Sequence, residues 1–175
     1  MRIALVLLWM ILMVACNTTT PTKPSDPSWA ILPFKKVDSV NPILLSDTSS
    51  VFICPILQRP VAWEAKDVFN PAAVVKDGKI YLLYRAEDTI VRNPSTSRLG
   101  LAVSEDGLHF TRMNQPVFYP DNDSMKKFEW AGGCEDPRLA KLEDGLYLLT
   151  YTAYDGSTAR LSIAVSNDLL HCQKK

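Results

Sequence analysis

From Val68 onward, short apolar runs alternate with Asp-Gly turn pairs, which is the pattern of antiparallel strands. Ala72 to Lys76 is an apolar run, Asp77-Gly78 is a two-residue hairpin signal, and Lys79 to Glu87 is rich in Tyr, Ile and Leu. After a loop, Leu99 to Ser104 gives a third strand. The Asp106-Gly107 turn leads into a fourth, spread over Leu108 to Arg112 and the Pro116-Val117-Phe118 region.

The pattern then repeats. Arg98-Leu99-Gly100-Leu101-Ala102-Val103-Ser104-Glu105-Asp106-Gly107-Leu108-His109 aligns with Arg160-Leu161-Ser162-Ile163-Ala164-Val165-Ser166-Asn167-Asp168-Leu169-Leu170-His171. Upstream, Asn70-Pro71 and Asp77 to Tyr84 align with Asp136-Pro137 and Asp144 to Tyr151. A unit of on the order of 65 residues with four strands is the anatomy of a propeller blade, whereas a two-sheet sandwich predicts no such regularity. The expected fold is all-β, a partial propeller of two to three blades. Propellers close with about 4 to 8 blades, so the expectation is of an incomplete ring. The last residues, Cys172 to Lys175, are expected to leave the second unit without its fourth strand.

The N-terminus is patterned differently. Arg2 precedes an unbroken apolar stretch from Ile3 to Ala15, shorter than the roughly 20 residues that span a bilayer and suited to a signal peptide. It ends in Met13-Val14-Ala15-Cys16, which resembles a bacterial lipobox with Cys16 as the acylated residue. Asn17 to Ser28 is a polar, proline-rich tether without apolar periodicity. The division expected is a signal peptide at 1–15, a lipidated Cys16 with a tether over 16–28, and the folded portion over 29–175. The protein is thereby expected to be exported and held by lipid at the periplasmic face or surface of a bacterium.

Composition removes several function classes. The chain of 175 residues carries 19 basic and 19 acidic side chains, which gives no electrostatic case for a nucleic acid partner. With Cys16 set aside, Cys54, Cys134 and Cys172 are an odd, widely spaced set, and His109 and His171 complete no metal-ligand spacing. No metal, disulfide framework or organic cofactor is expected.

The repeat also helps to separate scaffold from chemistry. Residues present in both copies, such as Ser104/Ser166 and His109/His171, read as turn and packing residues rather than parts of a catalytic triad. Positions that differ at the start of the inner strand, Asn70 and Asp136, are the better candidates. In Gly132-Gly133-Cys134-Glu135-Asp136-Pro137-Arg138, strand alternation would point Glu135 and Asp136 to opposite faces and place Asp136 with Arg138; it likewise pairs Arg85 with Glu87.

Phe69-Asn70-Pro71-Ala72, Leu83-Tyr84-Arg85-Ala86-Glu87, Ser97 to Ser104, Gly133-Cys134-Glu135-Asp136-Pro137-Arg138 and Tyr151 to Gly156 with Ala159-Arg160-Leu161 together resemble glycoside hydrolase family 130. The resemblance runs from about Asn41 to His171, and the Glu-Asp-Pro-Arg element is its most specific piece. It implies a five-bladed propeller that cleaves β-mannosides with inversion, by phosphorolysis or by hydrolysis. It further implies Asp136 as the general acid, Asn70, Arg85 and Glu87 around the mannose, and Arg160 among cations that hold phosphate. The partner would be a mannose-containing oligosaccharide, with inorganic phosphate as a potential co-substrate. A glycan-binding lipoprotein without chemistry, or an inactive truncated product, is the alternative.

Overall fold

The computed structural model describes residues 33–90 and 95–175. The signal segment, Cys16 and the tether lie outside the described residues. Residues 37–175 form one compact unit; in the other, 1–36, the described residues 33–36 carry no helix or strand.

The unit is built almost wholly of strands. They are β1 (Asp47–Cys54), β2 (Arg59–Glu64), β3 (Asp67–Lys76), β4 (Lys79–Glu87), β5 (Ser97–Ser104), β6 (Thr111–Arg112), β7 (Gly133–Lys141), β8 (Tyr147–Tyr154), β9 (Ala159–Ser166) and β10 (Cys172–Lys174). One helical turn, α1 (Lys126–Glu129), lies between β6 and β7. Strands β1 and β2 pair as a separate hairpin, and the other eight form one sheet.

That sheet consists of two antiparallel meanders, β3–β4–β5–β6 and β7–β8–β9–β10, as the repeat requires. They are joined by a parallel bridge between Ser97 and Gly133. A Cβ on Gly133 would sit 2.2 Å from the Ser97 carbonyl oxygen, so this junction is closed to any side chain. Lys79–Glu87 forms a strand over the span its composition indicates. Asp77 and Gly78 both have positive φ, as a two-residue primed turn demands.

The expectation for the last residues is corrected here. Cys172–Lys174 pairs antiparallel with β9, so the second meander has its fourth strand. Pairing needs only backbone groups, and the polar sequence of this segment gave no periodicity from which to read it.

Two cores flank the first meander. On one side Tyr84, Ala86 and Ala102 pack with Phe52, Val61 and Trp63 of the β1–β2 hairpin. On the other, Leu83, Leu99 and Leu101 pack with Tyr147, Leu149 and Tyr151 of the second meander. Strand β4 is therefore apolar on both faces. A large aliphatic side chain such as Leu83 contributes about 1.5–3 kcal/mol by leaving water. In the second meander Leu161, the counterpart of Leu99, is 81% exposed.

Three polar devices accompany both meanders. Ser104 Oγ accepts the Gly107 N–H while Asp106 meets His109 Nδ1 at 2.7 Å, and Ser166, Asp168 and His171 do the same. In each turn the serine contacts the aspartate, so the three residues brace a turn and do not form a nucleophile–base pair. Arg98 pairs with Asp88 at 2.8 Å, and Arg160 with Asp155 at 2.6 Å. Tyr84 donates to fully buried Glu64, which Arg112 of β6 neutralises. Tyr151 likewise donates to fully buried Glu129, which Lys174 of β10 neutralises. Burial pushes both phenols above their ordinary pKa, which keeps them as neutral donors.

Candidate active site

Asn70 and Asp136 each precede a proline in the first strand of a meander, and each interrupts its ladder. The register shifts between Phe69 and Ala72 and again between Glu135 and Arg138. Both residues have φ of +46°, a left-handed conformation that Asn and Asp tolerate better than most side chains. The kinks turn the two side chains towards one another, and Asn70 Nδ2 donates to Asp136 Oδ1 at 2.8 Å. A contact between residues 66 apart in sequence thus joins the two repeats.

Arg85 on β4 organises what surrounds this pair. Its Nη1 reaches Asp136 Oδ1 at 3.1 Å, and its Nη2 reaches Glu87 Oε1 at 2.7 Å and Glu135 Oε1 at 2.9 Å. Its Nε donates to Ser97 Oγ at 3.0 Å, and the guanidinium lies 4.6 Å from the Phe69 ring centre. Glu87 is held from its other oxygen by Lys66 at 2.6 Å. Three carboxylates thus converge on two cations.

The expected alternation of Glu135 and Asp136 is corrected by this geometry. Both meet the same guanidinium, because the kink at Asp136 breaks the two-residue period on which the expectation rested. Arg85 and Glu87 do share a face. Arg138 donates to the Pro137 carbonyl, with a Coulombic influence on Asp136.

The carboxylates differ in proton affinity. Burial pushes Asp136 up, but hydrogen bonds from Asn70 and Arg85 outweigh it and hold the group below its ordinary value. Glu87 follows the same logic: burial opposes the charge, and Lys66 and Arg85 prevail. Glu135 moves the other way, since burial, with Asp136 and Glu87 nearby, exceeds what Arg85 and Ser97 return. Asp136 is also the most open, with its side chain 38% exposed and both described contacts on Oδ1.

Arg160 belongs to a different group of contacts. It is bound to Asp155, donates to the Thr158 carbonyl at 3.1 Å and lies 5.2 Å from the Phe128 ring centre. Arg98 makes the equivalent bonds to Asp88 and the Thr96 carbonyl. Cys16 lies outside the described residues. Glu135, Ser97, Lys66 and Phe69 were not singled out as site residues from the sequence; the differences Phe69/Glu135 and Arg85/Thr152 between the repeats were the available signal.

Among the described residues no group of three or more His, Cys, Asp or Glu side chains is arranged to hold a metal ion. A groove of about 590 Å³ runs along β10 past Phe118, Asp123 and His171 and includes none of the clustered carboxylates. A smaller cavity of about 210 Å³ is walled by Leu44, Val68, Phe69 and Pro71, the last two being the chain neighbours of Asn70.

The family profile for glycoside hydrolase 130, described as β-1,4-mannooligosaccharide phosphorylase, matches residues 53–175. The chain belongs to glycoside hydrolase family 130. A 1,2-β-oligomannan phosphorylase of Thermoanaerobacter sp. strain X514 is 36% identical over 119 residues, covering 65% of this chain and 38% of that protein. A solved structure of a putative glycosidase from Bacteroides thetaiotaomicron VPI-5482 is 52% identical with a TM-score of 0.81, over 85% of this chain and 43% of that one. Another concerns family 130 glycoside hydrolases that target β-1,2-mannosidic linkages in Candida mannan. It is 49% identical with a TM-score of 0.82, over 88% of this chain and 44% of that one. The family 130 chain described here therefore spans about two fifths of the length of these relatives.

Proposed function

We propose that this chain supplies the acid and part of the sugar-holding wall of a β-mannoside-cleaving site on a five-bladed propeller. The observation that carries the reading is the meeting of Asp136, Asn70 and Arg85 at the junction of two repeats, with both donors on Oδ1 and the Asp136 side chain 38% exposed. Asp136 acts as general acid, its proton passing through a hydroxyl of the bound mannose to the glycosidic oxygen; Asn70, Arg85 and Glu87 orient that sugar. An acid must hold a proton, and free Asp136 holds it weakly. Bound sugar that excludes water and takes over the donors of Asn70 and Arg85 raises its affinity at the moment it is needed.

The nucleophile is phosphate or water. Phosphate needs a cationic cradle, to which Arg160 would contribute, and no general base. Water needs a second carboxylate about 6.5 to 9.5 Å away. Similarity to a 1,2-β-oligomannan phosphorylase supports the first and similarity to mannan-directed hydrolases the second. Export through the N-terminal segment, with lipid on Cys16, favours hydrolysis, because a sugar phosphate released outside the cytoplasm is not metabolised there. Incorporation of labelled fatty acid that persists in Cys16→Ala would remove that argument.

The test is Asp136→Asn, made in this chain and at the equivalent position of the 52%-identical relative, assayed on β-1,2-mannobiose with and without phosphate. Loss of turnover by about 10²-fold or more with binding retained is expected. Mannose 1-phosphate, free mannose or no product separates phosphorolysis, hydrolysis and plain glycan binding. Unchanged turnover in the variant takes Asp136 out of the mechanism.

A further inference from the structure

Asp136 shares the Arg85 guanidinium with a carboxylate that the proposed chemistry does not use. Glu135 Oε1 lies 2.9 Å from Arg85 Nη2 and 3.2 Å from Ser97 Oγ, with its side chain 13% exposed. Arg85 Nη2 already serves Glu87 Oε1 at 2.7 Å, while Nη1 serves Asp136. One guanidinium is thus divided among three carboxylates, and any change in the charge of one alters its hold on the other two. The counterpart of Glu135 in the first repeat is Phe69, which lies against the same guanidinium without competing for its protons.

We infer that Glu135 is a positioning residue for Asp136, which sets the proton affinity of the candidate acid by competing with it for Arg85. This rests on the reading of Asp136 as the acid but concerns a property of the resting cluster. The charges facing Glu135 are Arg85 and Glu87 from β4 and Asp136 from its own strand, with Ser97 of β5 as a neutral donor. Lys66, preceding β3, acts on Glu87, and Arg138 acts on Asp136. Three carboxylates are in direct contact with two cations, Arg85 and Lys66, with Arg138 acting on Asp136, so the first proton goes to the carboxylate that the cations compensate least. Burial and the two neighbouring carboxylates direct that proton to Glu135. Once Glu135 is neutral, Arg85 is freed towards Asp136 and holds it as the anion. With Glu135 ionised, Arg85 is divided, the negative charge nearby is larger, and Asp136 takes a proton more easily.

The experiment is a carboxyl ¹³C NMR titration of the full chain labelled at Asp and Glu, in the wild type, Asp136→Asn and Glu135→Gln, without sugar. In the wild type Glu135 is expected to titrate above Asp136. Glu135 then takes its proton while Asp136 is ionised, so the coupling is read on Glu135: in Asp136→Asn its midpoint is expected to fall by roughly one unit, because a neighbouring negative charge is gone and Arg85 has one competitor fewer. Glu135→Gln stands in for neutral Glu135 and is expected to leave the Asp136 midpoint at its wild-type value, whereas loss of a residue that merely braced Arg85 would loosen the guanidinium and let Asp136 rise towards its ordinary value. A Glu135 midpoint that stays or rises in Asp136→Asn, an Asp136 midpoint that rises in Glu135→Gln, or a wild-type order with Asp136 above Glu135 overturns the inference. Should a variant not fold, the wild-type order decides alone. The titration is independent of turnover, so a cleavage assay that rejects Asp136 as the acid leaves it readable.

Discussion

The two meanders share one pattern, and where they differ a cluster of charged side chains gathers. Both keep the Ser-Asp-His turn, the buried Tyr–Glu–cation group and the Arg–Asp pair. On their first two strands the first carries Phe69, Asn70, Arg85 and Glu87, while the second carries Glu135, Asp136, Thr152 and Tyr154. Neither meander alone holds a site. The first lends the cation and the amide, the second lends two carboxylates, and the Ser97–Gly133 bridge sets them against each other. Repetition therefore fixes the frame, and divergence between neighbouring copies makes a polar cluster that no single copy could hold.

The largest expected difference between the meanders lies in the Arg–Asp pair. Arg98 and Asp88 are 1% and 0% exposed, whereas Arg160 is 38% exposed in the same arrangement. Asp88→Ala strands a buried guanidinium and is expected to cost about 3–5 kcal/mol. Asp155→Ala leaves Arg160 able to reach water, and the loss comes mainly from the Ser157 and Thr158 N–H groups that Asp155 accepts, so it is expected to be smaller than that of Asp88→Ala. Urea unfolding of the two variants side by side checks this. Equal losses would mean that Arg160 is as enclosed in solution as Arg98 and would break the comparison at its clearest point.

Much of the frame could be read from the residues because it depends on local rules. The Asp77-Gly78 turn, the span of β4 and the turn role of Ser104 and His109 follow from φ preferences and from side chains that bond their own neighbours. The Tyr–Glu–cation groups were not legible. Glu64 lies on the β1–β2 hairpin and Glu129 on a helical turn, so equivalent charges come from unlike elements and share no period. Asn70, Arg85, Glu87 and Asp136 could be selected, but their meeting with Glu135 could not be foreseen. A single left-handed residue at Asp136 cancels the alternation from which strand faces are read, and nothing in the local pattern announces the kink beyond an Asp in front of a proline.

The smallest expected effect sharpens the comparison from its conserved side. Hydrogen bonds from the His109 ring and from backbone N–H groups hold Asp106 well below its ordinary value of 3.8, and His171 does the same for Asp168. A carboxylate depressed in the folded state contributes stability that is complete above the unfolded value and is lost as pH falls through the folded one. Both side chains are largely open to solvent, so screening keeps each contribution small. Urea midpoints measured from about pH 5 down to about pH 2 should therefore fall less steeply in Asp106→Asn and in Asp168→Asn than in the wild type, and by the same amount in each. Unequal slopes would show that one turn has been drawn into its surroundings, and the equivalence of the two scaffolds would no longer hold. Unaltered slopes in both would place the acid sensitivity elsewhere, with Asp136 and Glu87 as the next depressed carboxylates to test.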